Sequence, residues 1–342
     1  MPLDNFDPNG PGLDNGNFIG LPFTEEEAAL VFFPVPWDVT VSYTDGTAGG
    51  PANILQASTQ LDLAHPFSAD AWKKGIFFKP LNTYWVKRSQ ELRPRAEAYI
   101  QFLEQGGQVA DDRKMNKILE EINYTCENLH RWVEQETYKL LQKEKAIGLI
   151  GGEHSCPLGF LRALAKKHGD FGILQIDAHL DLRKAYEGFT YSHASIFYNT
   201  LQIEAVQQLT QVGIRDYCDE EVARSEEDER IEVFYDYALR RSIFRGSNWQ
   251  EQCEAIVATL PEKVYISFDI DGLQPSLCPH TGTPVPGGLS YNEALFLIET
   301  VIESSRTIIG FDLCEVAGPP HEWDGNVGAR IAYALAMAML GK

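Results

Sequence analysis

Short apolar runs alternate with longer segments of helical periodicity along most of this 342-residue chain. In the segment 115–143, for example, apolar residues recur at the three- and four-residue spacing of an amphipathic helix. Strands that are separated by helices of ten or more residues are typical of βαβ units, in which the strands run parallel. The alternation therefore predicts an α/β fold, with a single domain built on a central, mostly parallel, doubly wound sheet.

Individual elements can be placed from the same pattern. Strands are expected at residues 28–34, 146–150, 172–176, 209–212, 231–234, 264–268 and 307–313. Helices are expected from Gly50 onward and at 115–143, 158–167, 195–202, 249–260, 291–304 and 325–340. An acidic helical region should end near Glu229, and residues 66–113 are interpreted as loops with one helix. Residues 1–27 begin with a stretch rich in Gly, Pro, Asn and Asp and are predicted to form an irregular extension.

Charge and composition narrow the possible partners and the compartment. The formal net charge of -20 disfavours nucleic acid and anionic membranes, which need basic surface, and suits a small cationic substrate. No apolar run approaches the roughly 20 residues of a membrane helix. The six cysteines show no CxxC pair, so we expect reduced thiols rather than disulfides. With no recognisable targeting segment, the cytoplasm is the expected location.

The most informative local pattern is QIDAHLDLR (175–183), which begins at the end of an apolar strand. Asp177, His179 and Asp181 stand at every second position, and alternate residues of an extended segment point to the same side. Two carboxylates and an imidazole would then converge at the carboxyl end of the strand. Because ligands bind at this edge of a parallel sheet, the pattern predicts a metal site.

Two further predicted strands end in residues of the same kind, GGEH (151–154) and DID (269–271). Each taken alone could be an ordinary turn or helix cap, but three such strand ends in one sheet point to a shared site. The candidate ligands are His154, Asp177, His179, Asp181, Asp269 and Asp271. Six ligands are too many for one ion and fit a carboxylate-bridged pair. Oxygen-rich sites with one imidazole per ion suit Mn²⁺ better than structural zinc.

These stretches resemble the signature motifs of the ureohydrolases, the group that includes arginase, agmatinase, formiminoglutamase and guanidinobutyrase. The motifs are GGEHS (151–155), DAHLD (177–181) and SFDIDGLQPS (267–276), and PHTGTPVPGGL (279–289) and FDLCEV (311–316) are also similar to the family. The resemblance runs from about Val31 to the C-terminus. It implies an arginase-like αβα sandwich, a ureohydrolase catalytic domain at 28–342, a binuclear Mn²⁺ site and a homo-oligomer, usually a trimer or hexamer.

The resemblance also implies how the ligands are shared between two ions. One ion would be held by His154, Asp177, Asp181 and Asp269, and the other by His179, Asp177, Asp269 and Asp271. Asp177 and Asp269 would therefore bridge. Water activated by the two cations would attack the guanidinium carbon, and the tetrahedral intermediate would collapse to urea and an amine.

Three residues are expected to act in catalysis, namely Glu315, His193 and Asp181, the last also as a metal ligand. Glu315 matches the family carboxylate that pairs with the guanidinium and orients it, although it could instead be a helix-capping or surface glutamate. His193 matches a family histidine proposed to pass a proton to the leaving amine or to bind substrate. An exposed loop histidine is the alternative interpretation of His193.

The substrate is less well defined because of Arg183, which stands where arginases have an Asn-type residue. Arg183 could bind a carboxylate tail, which would favour guanidino acids or formiminoglutamate, or it could form a structural ion pair. The stretches 191–198 and 211–218 resemble agmatinases more than arginases, and the acidic segment 216–229 favours a cationic tail. Gln274 stands where the family commonly has Asp, a departure that concerns the surroundings of the ligands rather than a ligand.

Four other residues could belong to the pocket, each with a structural role as the alternative. His280 and Thr283 follow the third ligand pair and could line the cavity. Tyr43 and Trp37, in the first long loop, could close over the substrate or pack in the interior.

The sequence as a whole predicts a cytoplasmic, Mn²⁺-dependent, homo-oligomeric ureohydrolase of polyamine metabolism. Its partner is a small guanidino substrate, with agmatine as the favoured compound and putrescine and urea as the products. Ni²⁺ or Co²⁺ are alternative metals, and guanidinobutyrase, arginase, guanidine hydrolase or formiminoglutamase are alternative activities. A silent family member that serves as a binding subunit is an alternative of another class, and the complete set of six ligands argues against it.

Overall fold

The computed structural model describes residues 3, 4 and 6–341, and its centre is a parallel sheet of eight strands. The strands are β1 (Leu30–Val35), β2 (Ile76–Phe78), β3 (Ala146–Gly151), β4 (Phe171–Ile176), β5 (Val206–Ile214), β6 (Ile231–Tyr235), β7 (Lys263–Asp269) and β8 (Thr307–Cys314). Their order in the sheet is β2-β1-β3-β8-β7-β4-β5-β6, and all neighbouring pairs are parallel. Every residue of β1 and β4 is buried, as expected for a parallel sheet that is covered on both faces.

Ten α-helices surround the sheet in the part of the chain that the structure describes. They are α1 (Gly50–Ser58), α2 (Thr83–Glu104), α3 (Arg113–Gln142), α4 (Leu158–His168), α5 (Ile196–Thr200), α6 (Asp219–Glu227), α7 (Asp236–Phe244), α8 (Trp249–Ala258), α9 (Tyr291–Glu303) and α10 (Glu322–Leu340). Capping boxes at Asn248 and Ser290 fix the starts of α8 and α9, because each cap side chain and the glutamate three residues later satisfy the free backbone N–H groups. None of the described helices is both long and apolar enough to cross a membrane.

The two faces of the sheet have separate hydrophobic cores. One core contains Phe32 and Leu174 and is closed by α1, α8, α9 and α10. The other contains Phe33 and Ile173, the sequence neighbours of the first pair, and is closed by α2, α3, α4 and α5. Successive strand residues point to opposite faces, so the apolar runs serve both cores. The predicted αβα sandwich with a doubly wound parallel sheet is confirmed.

All seven predicted strands are present, with bounds that differ by a few residues, but two elements were missed. The three-residue strand β2 lies in the segment 66–113, which was interpreted as loops with one helix, and it is too short to show alternation. The helix α7 begins directly after β6 with no intervening breaker residue, so the sequence shows no boundary there. The helix expected at 195–202 is shorter and covers only Ile196–Thr200.

The predicted N-terminal extension contains residues that pack against the domain. Phe18 is fully buried, and its ring lies 4.7 Å from that of Phe32. The amide of Asn17 donates to the carbonyls of Leu21 and Ile76. The division of the chain at residue 28 stays a prediction.

Candidate metal centre and substrate cavity

The predicted metal ligands follow strands that lie in the middle of the sheet. His154 follows β3, Asp177 follows β4, and Asp269 is the last residue of β7. In the sheet order β3-β8-β7-β4, the strands β7 and β4 are neighbours, and only β8 lies between β3 and β7. The strand β8 is followed by Glu315, so four consecutive strands contribute to one edge of the sheet. This edge is where ligands bind in open α/β sheets.

One group of ligand atoms surrounds His154. Its Nδ1 lies 2.9 Å from Oδ2 of Asp177, 3.2 Å from Oδ2 of Asp181 and 3.3 Å from Oδ2 of Asp269. All four residues are at most 5% exposed. The distances are those of atoms that face a common point, so the structure brings together the four residues predicted to hold the first ion.

A second group forms around His179. Its Nδ1 lies 3.1 Å from Oδ2 of Asp271 and 3.5 Å from Oδ1 of Asp177. Asp177 therefore presents one carboxylate oxygen to each histidine, which is the geometry that a bridging ligand requires. The assignment of individual ligands to individual ions stays a prediction.

The donor set fits divalent cations because buried carboxylates lack a basic partner. Among the described residues, no Lys or Arg side chain lies within ion-pair distance of these four aspartates. The nearby guanidinium of Arg215 instead donates to the carbonyls of Gly213, Asp271, Leu273 and Val285. Burial and the charge of Asp177 raise the pKa of Asp181 to about 7, since a buried carboxylate is costly to ionise without a cation. Imidazole and carboxylate donors in this ratio suit Mn²⁺ and its neighbours.

Hydrogen bonds from outside the predicted set orient the ligands. The side-chain amide of Gln175 donates to Oδ2 of Asp177 at 2.8 Å, and the side-chain amide of Gln211 donates to Oε1 of Gln175 at 2.5 Å. Sequence reasoning missed both glutamines, although Gln175 is the one polar residue of β4, which is fully buried. A polar residue in a strand that is buried on both faces is the signal that could have found Gln175, whereas β5 contains several polar residues and Gln211 does not stand out there.

Two site residues have backbone conformations that side chains with a Cβ rarely adopt. The φ angle is 53° at Asp181 and 62° at Glu315, both in the left-handed region. Non-glycine residues with such angles are held by the surrounding structure and are enriched at functional sites.

Glu315 is buried beside the metal ligands. Its Oε1 accepts the backbone N–H of His154 at 2.9 Å, and its Oε2 has no hydrogen-bond partner among the described residues. Burial and the charge of Glu153 raise the pKa of Glu315 well above its ordinary value. A cationic group that reached Oε2 would relieve this cost, so Glu315 can accept a hydrogen bond from a guanidinium.

A cavity of about 170 Å³ opens beside the second ligand group. Residues that border it include His179, Asp181, Arg183, His193, Asp216 and Thr283. Burial, together with the charge of His179, lowers the pKa of His193 to about 3, which keeps this imidazole neutral at physiological pH. Glu315 is not among the described residues that line the cavity.

The remaining candidates have different surroundings. Trp37 is fully buried with its ring 5.9 Å from that of Trp85, so of its two alternatives the structure supports packing in the interior. Its large apolar ring is more stable in the core between β1 and α2. Tyr43 is 78% exposed. His280 binds the buried carboxylate of Asp324 at 3.0 Å instead of lining the cavity.

Arg183 lines the cavity and is also engaged by neighbouring side chains. Its Nε lies 3.5 Å from Oε2 of Glu221, and its guanidinium lies 4.7 Å from the ring centre of Tyr186. Glu221 is itself buried and accepts the backbone N–H groups of Leu182 and Cys218. The ion pair thus ties Arg183 to the start of α6.

Comparisons with known proteins agree with this geometry. A model of the arginase family matches residues 28–341. An N(1)-aminopropylagmatine ureohydrolase of Thermus thermophilus is 32% identical over 292 residues, which cover 85% of this chain and 84% of that protein. An agmatinase of Bacillus cereus is 27% identical over 296 residues, with 85% and 84% coverage. The agmatine ureohydrolase of Thermoplasma volcanium has the same fold, with a TM-score of 0.69 and 23% identity over 96% of this chain and 94% of that one.

Proposed function

This chain belongs to the arginase family and is a hydrolase of guanidino compounds; from that premise we propose that its substrate carries a cationic amine tail. The simplest such substrate is agmatine, which would yield putrescine and urea. N1-aminopropylagmatine, named for one relative, has the same guanidinium with a longer cationic tail. Both fit a site that recognises a guanidinium at its metal end and positive charge at its open end.

The charge around the cavity is the observation that supports a cationic tail. Beyond the metal ligands, its charged lining residues are Arg183, Asp216 and Glu221. The guanidinium of Arg183 lies beside Glu221, whereas the side chain of Asp216 is 68% exposed. An ammonium group near Asp216 would be attracted and a carboxylate repelled. Tyr186 and Tyr217 also border the cavity, and aromatic rings attract cations, as the guanidinium of Arg183 over the ring of Tyr186 illustrates.

The metal site is proposed to hold two Mn²⁺ ions, with Ni²⁺ or Co²⁺ as alternatives. His154 and Asp181 would hold one ion, His179 and Asp271 the other, and Asp177 and Asp269 would bridge them. When bound, the pair would neutralise the buried carboxylates and supply a water nucleophile at neutral pH.

The protein groups would orient the substrate and handle the proton. We assign Oε2 of Glu315 to the guanidinium, which presents planar N–H donors to a carboxylate. Addition of water to the guanidinium carbon and cleavage of the C–N bond would give urea and an alkylammonium ion, with both protons of the water ending on the leaving nitrogen. We assign His193, which borders the cavity, to carry one of these protons to that nitrogen. Asp181 is the ligand carboxylate that borders the cavity, and we assign it to hydrogen-bond the water.

A urea-release assay tests the proposal. The purified chain is loaded with Mn²⁺, Ni²⁺ or Co²⁺ in separate preparations and given agmatine, N1-aminopropylagmatine, arginine, guanidinobutyrate, guanidine and formiminoglutamate. We expect the highest kcat/KM for one of the two amine-tailed substrates. A preference for guanidinobutyrate would favour the carboxylate-binding alternative for Arg183. No urea from any substrate with any metal would refute the enzymatic proposal and leave the silent binding subunit.

We also propose that the chain assembles as a homo-oligomer, a trimer or hexamer, as members of this family commonly do. Light scattering of the metal-loaded protein after size-exclusion chromatography gives the mass directly. Against a chain mass of 38.4 kDa, a monomer would contradict this proposal.

A further inference from the structure

The side chain of Thr40, in the loop after β1, is hydrogen-bonded to the loop that carries His193. We propose that Thr40 is a positioning residue for His193, whose backbone it connects to the buried carboxylate of Glu153. This inference rests on the proposed function, because it concerns the imidazole to which we assign the proton transfer. Thr40 would thereby join the functional residues, although its loop supplies none of the proposed metal ligands.

Three hydrogen bonds define the connection. The backbone N–H of Thr40 donates to Oε2 of Glu153 at 2.7 Å, and its hydroxyl donates to Oε1 at 2.8 Å. The backbone N–H of His193 donates to the same hydroxyl at 3.2 Å. Thr40 and Glu153 are both fully buried, so water does not compete with these bonds.

The direction of the hydroxyl is fixed by its partners. A threonine hydroxyl has one proton to donate, and Thr40 donates it to Oε1 of Glu153. The N–H of His193 can only donate. Thr40 must therefore present a lone pair of its hydroxyl oxygen to His193. The hydroxyl of Ser155 donates to the same oxygen, Oε1, at 2.6 Å and so also holds this carboxyl group in place.

The loop around Thr40 is held from the outside as well. Arg93 in α2 donates to the carbonyl of Val39 at 3.2 Å and to that of Val41 at 2.6 Å. Asp38 accepts a hydrogen bond from Ser89, also in α2, at 3.1 Å. The residues on either side of Thr40 are therefore held in place. Since the loop cannot move to compensate for a substitution at Thr40, the substitution should change the position of His193.

The hydroxyl matters because the imidazole must meet both the water and the leaving nitrogen at hydrogen-bond distance. Displacement of a catalytic group by about 1 Å can lower a rate about 100-fold. Thr40→Val keeps the shape of the side chain but leaves the N–H of His193 and one oxygen of Glu153 without this partner. Thr40→Ser keeps the hydroxyl and loses only a methyl group.

The test compares three variants of the full-length, metal-loaded protein. Thr40→Val and Thr40→Ser address the hydrogen bond. Thr137→Val is the matched control, since Thr137 is also fully buried but donates within α3 to the carbonyl of Val133. For each protein we would measure bound metal, kcat and KM for urea release, and hydrogen exchange at the backbone amide of His193.

We expect Thr40→Val to lower kcat by about tenfold or more, with KM within about twofold and bound metal unchanged. Exchange at His193 should be faster in this variant only. Thr40→Ser should recover most of kcat, and Thr137→Val should behave as the wild type. Unchanged kcat in Thr40→Val, an equal loss in Thr40→Ser, or loss of metal in Thr40→Val would each overturn the inference. An inactive wild type would instead refute the proposed function.

Discussion

Oγ of Ser267 lies 2.9 Å from Nε2 of His154, on the side of the ring that faces away from the other ligands. The same hydroxyl donates to Oδ2 of Asp312 at 2.7 Å, and Asp312 is fully buried. Because Ser267 donates to the carboxylate, it accepts the proton of His154 Nε2. The lone pair of Nδ1 is then directed at Asp177, Asp181 and Asp269, as a metal ligand requires.

Replacing Ser267 with Ala should therefore weaken metal binding without removing a ligand. Loss of a hydrogen bond that orients a ligating histidine lowers metal affinity by about 10- to 100-fold. Titration of the metal-free protein with Mn²⁺ measures this affinity. The control is Thr210→Val, which removes a buried hydroxyl in β5 that is hydrogen-bonded to Thr259 at the end of α8. Equal affinities for Ser267→Ala and the wild type would contradict the proposed role.

Asp177→Asn should remove most of the bound metal. Asn keeps the shape of Asp177 but loses the charge, and Asp177 is the residue whose two oxygens face both histidines. We expect both the metal content and the rate of urea release to fall, the rate by about two orders of magnitude or more. Asp228→Asn, which disrupts only the partly exposed pair with Arg230, is the control. If Asp177→Asn retained two ions per chain, the bridging assignment would be wrong.

The parts of the fold and site that the sequence predicted are those with a strong local signal. Asp177, His179 and Asp181 follow directly on an apolar strand, so their place at one edge of the sheet could be predicted, although the left-handed φ of Asp181 departs from an extended segment. That β3, β7 and β4 end close together, with β8 between β3 and β7, required the sheet order, which no local pattern contains. The resemblance to the ureohydrolases implied a shared site without giving that order.

The missed residues share a different property, because their roles depend on contacts between distant parts of the chain. Gln211 is 36 positions from Gln175, and Thr40 is 153 positions from His193. The burial of Trp37 depends on its contact with Trp85 from a helix that lies after an unpredicted strand. Periodicity and spacing describe neighbours along the chain, so contacts of this kind become visible only in the folded structure.

Arg183→Met should separate the two interpretations of Arg183. Its guanidinium already contacts Glu221 and Tyr186, so we expect kcat/KM for agmatine to change by less than about threefold, with a loss of stability of up to about 1 kcal/mol. Steady-state kinetics and urea unfolding provide both quantities. A rise in KM confined to guanidinobutyrate would show instead that Arg183 binds a carboxylate.

Arg224→Met is a matched control for that experiment. Arg224 also pairs with a glutamate, Glu220, at 3.2 Å and lies 4.5 Å from the ring centre of Tyr198. It does not line the described cavity. If both variants lose similar stability and neither changes substrate preference, Arg183 is structural.

His130 in α3 should make stability depend on pH independently of the metal site. It is fully buried, its ring lies 5.2 Å from that of Tyr191, and neither ring nitrogen has a hydrogen-bond partner among the described residues. Burial and the charge of Arg162 lower the pKa of His130 to about 3. An unfolded histidine has a pKa of about 6.5. The unfolded chain therefore binds an extra proton between these values, and the contribution of neutral His130 is complete above a pH of about 6.5 and is lost as the pH falls toward 3.

His130→Phe keeps an aromatic ring against Tyr191 but cannot bind that proton. In the wild type, the pKa difference lowers the free energy of unfolding by about 2 kcal/mol between pH 7 and pH 5, and the variant should lack this part of the decrease. Urea unfolding of both proteins in the metal-free form at the two pH values measures the difference. The control is His168→Phe. His168 is only half-buried, so this variant should remove a smaller part of the decrease in the free energy of unfolding between pH 7 and pH 5. If His130→Phe lost as much stability as the wild type between pH 7 and pH 5, the histidine would be protonated in the folded state or hydrogen-bonded to water.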